Sequence, residues 1–196
     1  MKILYNHQIF LSKYGGASRY FVELANNISL NEDKDATVKI ISPFFKTEYL
    51  SSNNQNFFFS GMKIPDFKGS SKLCSILNTF LSPILSKYYN PNIIHDTYYH
   101  AVKHNTGHIK KIITVYDMIH ELFPDQFSKK DNITELKKFA VAEADHIICI
   151  SNNTQKDLIK FFNVDVKKTS VIHLGFSFRL KEIKKPEKTN KPYLLY

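Results

Sequence analysis

The sequence predicts an α/β fold: a mostly parallel sheet with helices on both faces. Three observations carry that expectation. Short apolar runs rich in β-branched residues alternate with stretches whose apolar residues recur at helical spacing. A glycine pair, Gly15-Gly16, separates the first such run from the first helical stretch. The run Ile112-Ile113-Thr114-Val115 lies between a lysine pair and Tyr116-Asp117, as a strand buried on both faces would. Strands and helices alternating at this spacing imply βαβ units with right-handed crossovers.

The first strand is expected within Met1–Tyr5, and a helix follows the glycines, with Ala17, Tyr20, Phe21, Leu24, Ala25 and Ile28 on one stripe. Glycine lets another group approach the backbone, and a helix start offers unpaired N–H groups to an anion. The pair therefore reads either as a phosphate-side loop or as a plain tight turn. Neither GxGxxG nor GxxxxGK[ST] is present. Thr37–Phe45 is read as a second strand, with Pro43 as its stop, and a short one is placed around Phe57–Phe59 in an Asn- and Ser-rich loop. From Leu73 to Tyr88 the spacing predicts an amphipathic helix bent at Pro83, where proline removes a hydrogen-bond donor.

Asn90-Pro91-Asn92 then breaks the chain before a strand beginning at Ile93, and Lys110–Val115 is taken as the central strand. A helix over Asn132–Ala144, a strand at His146–Ile150, a helix capped by Ser151 and a last strand at Ser170–Leu174 complete the series. Residues 1–180 are thus one domain. Lys181–Lys191 has the composition of an exposed linker, and Pro192–Tyr196 reads as the first strand of a second domain.

The 43% hydrophobic content is ample for a core, and no run approaches the roughly 18 residues of a membrane span. The first residues lack a signal peptide's apolar segment, so a cytoplasmic location is expected. Cys74 and Cys149 have no metal-site spacing and are expected to be reduced and buried. The formal charge of +9 calls for an acidic partner or describes a solvated lysine-rich surface.

Several segments together resemble the amino-terminal half of the GT-B-fold retaining glycosyltransferases of family 4. They are GGASRYFVELA, NPNIIHDTYYH, ITVYDMIHELFPDQF, AVAEADHIICISNNTQKDLIKFF, VIHLGFS and KPYLLY. The resemblance implies a Rossmann-like acceptor-side domain facing a donor-side domain across a cleft, with Gly15 and Gly16 approaching the donor diphosphate. No bound metal or other cofactor is expected, because helix ends and cationic side chains can neutralise a diphosphate instead. The family's usual histidine is replaced here by Tyr116, which leaves His120 or His95 to take its part. The family's lysine and paired glutamates belong to its second domain.

Asp117, His120 and Glu121 are expected at the rim of a site, because ligands of open α/β sheets bind beyond the carboxyl ends of the strands. Asp117 is the first catalytic candidate, or else a helix cap or a satisfied loop carboxylate. His120 is the second, as an imidazole titrating near neutrality, or else a surface-loop histidine. His95, His100, Tyr98 and Ser151 are candidates for substrate contact; the alternatives are strand-end hydrogen bonds for the histidines, core filling for the tyrosine and a helix cap for the serine. Arg19 stands in a first helical turn, where the dipole disfavours a cation unless an anion is near. The expected partners are a nucleotide-sugar, a glycan or lipid-linked acceptor of surface polysaccharide or lipopolysaccharide type, and the anionic inner membrane surface. Two other classes fit less well: a basic nucleic-acid-binding domain, which lacks any RNA or DNA motif, and a scaffold that keeps the fold without the chemistry.

Overall fold

The computed structural model describes residues 1–30, 35–51, 56–101, 107–128 and 130–175. Seven strands form one sheet: β1 (Lys2–Tyr5), β2 (Thr37–Phe45), β3 (Phe58–Lys63), β4 (Ile93–Asp96), β5 (Lys110–Val115), β6 (His146–Cys149) and β7 (Thr169–Val171). Their order is β3-β2-β1-β4-β5-β6-β7, and every pair is parallel. The helices are α1 (Gly16–Leu30), α2 (Ser70–Tyr89), the single turn α3 (Ile119–Leu122), α4 (Ile133–Glu143) and α5 (Asn152–Phe162).

This order corrects one expectation: β4, not β5, is the middle strand. The chain builds outward in one direction from β1 to β3, then crosses back through α2 to β4 and builds the other way. The direction reverses between β1 and β4, which is where a crevice opens beyond the carboxyl ends of the strands.

Alternation along the strands sorts the core into two layers. Ile3, Tyr5, Val38 and Ile40 face α1, whose Phe21, Val22 and Ala25 pack on them. Leu4, Ile41 and Ile94 point to the opposite face. The register pairs Ile94 with Lys111 and Asp96 with Ile113, so Ile113 and Val115 share that second face. There they pack with Ala140 and Val141 of α4 and Leu158 of α5.

Strand β2 covers the expected stretch Thr37–Phe45 and does not stop at Pro43. A register shift against β3 between Ile41 and Phe44 absorbs the proline, whose missing N–H would interrupt a regular ladder. Gly61 of β3 is required at this irregularity, since a Cβ there would come within 2.0 Å of the Ser42 carbonyl oxygen. Strand β7 is shorter than expected; Ile172 and Leu174 lie beyond it, exposed. The expected linker and the strand at Pro192–Tyr196 lie outside the described residues.

The largest departure concerns α2. Its periodicity is helical as expected and the helix continues through Pro83, but the residues it buries are Ser70, Cys74, Asn78 and Ser82. Asn78 explains the orientation. Its amide accepts from Phe44 N–H and donates to Phe44 C=O, both at 2.8 Å, so it pairs the backbone groups that the β2 irregularity leaves open. The apolar stripe therefore faces outward.

Candidate functional site

Because all strands are parallel, the residues that follow them collect at one edge. Asn6 and His7 follow β1, and Asp96 with Thr97 ends β4. The Asn6 side-chain oxygen accepts from Thr97 N–H at 2.9 Å, and its amide nitrogen donates to Asp96. His100 Nε2 is 3.1 Å from the same Asp96 oxygen, and His7 Nδ1 is 3.0 Å from Ser82 Oγ on α2. This network ties the carboxyl ends of the two strands to α2 at the reversal point. Beside it lies a cavity of about 360 Å³, bordered by Asn6, His7, Ser82, Tyr98, His100 and Leu136. Such a hollow, apolar with a few convergent polar groups, suits a small ligand bearing hydroxyls.

The expected residues fall around this cavity in different ways. Tyr98 lines it and packs on Tyr99 with ring centroids 4.8 Å apart. Burial, then the Asp117 and Asp131 carboxylates, push its phenol above the ordinary value. Asp117 is exposed at the end of β5, and its carboxylate accepts from Ile119 N–H at 3.1 Å, a local turn contact just ahead of α3, whose N-cap is Met118. His95 does not reach the rim. It is 4% exposed, set edge-on to Tyr5 and Phe21, with Nε2 2.8 Å from Thr114 Oγ1. Burial lowers its pKa to about 4, against a smaller raising effect of Asp96.

His120 lies apart, in a second hollow of about 480 Å³ between α3, α4 and α5. Its ring stacks on Phe127 at 3.8 Å, with Nε2 3.4 Å from Asp131. Glu121, expected at the rim, is instead in a buried ion pair with Lys137 at 2.7 Å; their side chains are 3% and 1% exposed. Lys137 Nζ also donates to the Asp117 carbonyl at 3.0 Å, which anchors the end of β5.

Gly15 and Gly16 stand at the start of α1 on the same edge as Asp117. Neither has positive φ, and a Cβ on Gly16 would meet nothing within 4 Å, so this chain's own packing does not demand glycine there. Arg19 is exposed one turn on. Ser151 caps α5 by accepting from Thr154 N–H at 3.0 Å, and Thr154 Oγ1 donates to Tyr116 C=O at 3.3 Å. Tyr116 packs edge-on to Tyr20 of α1 at 6.0 Å, and its buried hydroxyl has no hydrogen-bond partner among the described residues. The structure thus brings Gly15, Gly16, Tyr116, Asp117 and Ser151 to one edge, leaves His95 in the core and sets His120 in a separate hollow. Sequence reasoning passed over Asn6, His7, Asp96 and Thr97. The available signal was their position, polar residues immediately after the apolar runs ILY and IIH.

The profile of Glycosyltransferase Family 4 matches residues 14–178. The chain belongs to this family. Two solved structures share the fold of the family 4 domain. One is a lipopolysaccharide outer core galactosyltransferase, WaaB, in its apo form, with a TM-score of 0.54 and 14% identity over 88% of this chain and 45% of that one. The other is HepE (Alr3699) of Anabaena, in complex with UDP and glucose, with a TM-score of 0.54 and 20% identity over 90% of this chain and 45% of that one. Among curated proteins no sequence matches the chain. The family 4 domain described here has the architecture of the amino-terminal half of a GT-B glycosyltransferase, and the chain spans a little under half the length of each of these two structures.

Proposed function

We propose that this domain is the acceptor-binding half of a retaining glycosyltransferase that moves a sugar from a nucleotide-diphosphate donor to a growing surface polysaccharide or lipid-linked glycan. The observation that carries the reading is the cavity at the reversal point between β1 and β4, edged by Asn6, His7, Tyr98 and His100. Hydroxyl-rich ligands are held by such groups, the amide and imidazoles by hydrogen bonds and the phenol by stacking on a sugar face. HepE, in its complex with UDP and glucose, lends support by fold.

The donor diphosphate approaches the start of α1 at Gly15 and Gly16, where free N–H groups and the helix dipole offset the charge that builds on the leaving group. Arg19 adds a cation one turn away. A domain outside these 196 residues supplies the nucleotide site and further cationic groups, and neutralisation by these groups takes the place of a metal. As the glycosidic bond to the diphosphate breaks, the sugar passes through an oxocarbenium-like state. An acceptor hydroxyl held in the cavity then forms the new bond, its proton passing to the departing diphosphate oxygen. Asp117, beside Tyr98 at the rim, orients the acceptor. The enzyme works in the cytoplasm, on the inner face of the membrane.

Gly16→Ala in the full-length protein tests the donor side. The added methyl meets nothing in this chain, so stability stays level or rises by up to about 1 kcal/mol. Transfer, by contrast, falls by about ten-fold or more if a phosphate must reach that backbone. Unchanged transfer kinetics would remove the glycine pair from the donor site.

A further inference from the structure

The outward stripe of α2 covers nothing in the described structure. Leu73, Ile76, Phe80 and Ile84 are all about half exposed or more, Phe80 reaching 70%, and Tyr88 at its end is 86% exposed. At 100° per residue these side chains share one flank of the helix, while the cavity-lining Ser75, Thr79, Ser82 and Ser86 occupy the other. The apolar surface continues onto the edge strand. Ser60 pairs with Ile41, which faces the α2 side of the sheet, so Phe58 and Met62, two residues either way along β3, point to that side too; both are exposed.

We propose that α2, with the exposed edge of β3, is the surface by which the protein lies on an anionic lipid bilayer. This rests on the reading of the protein as a transferase of membrane-borne acceptors and assigns that contact to one element. Charge selects the occupant. Lys68, Lys72 and Lys87 are exposed around the stripe, and no Asp or Glu occurs between Asp66 and Asp96. A helix with an apolar stripe flanked by lysines and carrying exposed aromatic rings, Phe80 at its middle and Tyr88 near its end, matches the chemistry of an anionic lipid interface. A second copy of this chain would fit poorly, because a two-fold contact sets the same lysine-bearing flank against itself. Contact through this flank leaves the cavity on the opposite side of α2 open to its ligand.

The test uses the full-length protein and two classes of vesicle, phosphatidylcholine alone and phosphatidylcholine mixed with phosphatidylglycerol, read by co-sedimentation. The parent protein is expected on the anionic vesicles and not on the neutral ones. Phe80→Ser combined with Ile84→Ser, both at exposed positions, lowers binding by about ten-fold or more with the melting midpoint kept. Lys72→Glu combined with Lys87→Glu lowers it comparably and flattens its salt dependence. Equal binding by the parent and both double variants overturns the proposal. So does a parent that stays free of anionic vesicles, or one that is dimeric in solution and becomes monomeric in the serine variant. Transfer to a soluble acceptor, measured alongside, keeps the two readings apart. Loss of vesicle binding in the variants with no transfer by any of the proteins supports the membrane surface and overturns the transferase reading.

Discussion

His95 shows how a strand-end histidine becomes a core residue. Tyr5 and Phe21 enclose it and Thr114 takes its Nε2, so the protonated form finds no solvent, and burial lowers the pKa to about 4. In the unfolded chain the same imidazole titrates near 6.5. Between these values the unfolded state binds the extra proton, so stability falls as pH drops from about 6.5 to about 4, by about 3 kcal/mol in all from this group. Urea unfolding across that range should show the decline, and His95→Gln should flatten it. The Lys137–Glu121 pair follows a different rule. Removing Glu121 alone leaves a buried ammonium, so Glu121→Ala should cost about 3–5 kcal/mol, whereas Glu121→Leu with Lys137→Met should cost less than that single change. A double-mutant cycle in urea measures the coupling. Both residues were visible as polar groups near strand ends; that one is enclosed by rings and the other neutralised was not, because the enclosing groups come from β1, α1 and α4, far away in the chain.

At the scale of elements, the join between β2 and α2 sets the orientation of the longest helix. Asn78 answers the open N–H and C=O of Phe44, and Gly61 leaves room for the Ser42 carbonyl. Asn78→Ala removes the partner of Phe44 N–H, while Phe44 C=O keeps the Ser42 hydroxyl, and should destabilise by about 1–3 kcal/mol, with faster amide exchange at Phe44 as the local signature. Gly61→Ala should be worse tolerated than Gly16→Ala, since its methyl meets backbone and not open space. Helix periodicity along Leu73–Tyr88 was legible, as was the cap at Ser151 with α5 behind it. Which stripe of α2 turns inward was not, because a row of Ser, Cys, Asn and Ser outranks a row of Leu, Ile and Phe only where a neighbouring strand presents unpaired backbone.

At the scale of the whole molecule, the described residues form seven parallel strands and five helices in one Rossmann-like layer system whose carboxyl edge holds the residues following β1, β4, β5 and β6. The proposed division of labour gives a direct expectation: the 196-residue chain alone unfolds cooperatively yet turns over no nucleotide-sugar, measured as release of nucleoside diphosphate. Release by the isolated chain at a rate near that of the full-length protein would overturn that division. The sequence by itself determined the alternation of strands and helices, and with it the parallel sheet, since apolar period and turn residues are local properties of the chain. Only the tertiary structure decided the strand order and therefore the place of the reversal, between β1 and β4 and not beside β5. Crossover direction depends on which face each helix covers, and that is settled by packing between residues distant in the chain.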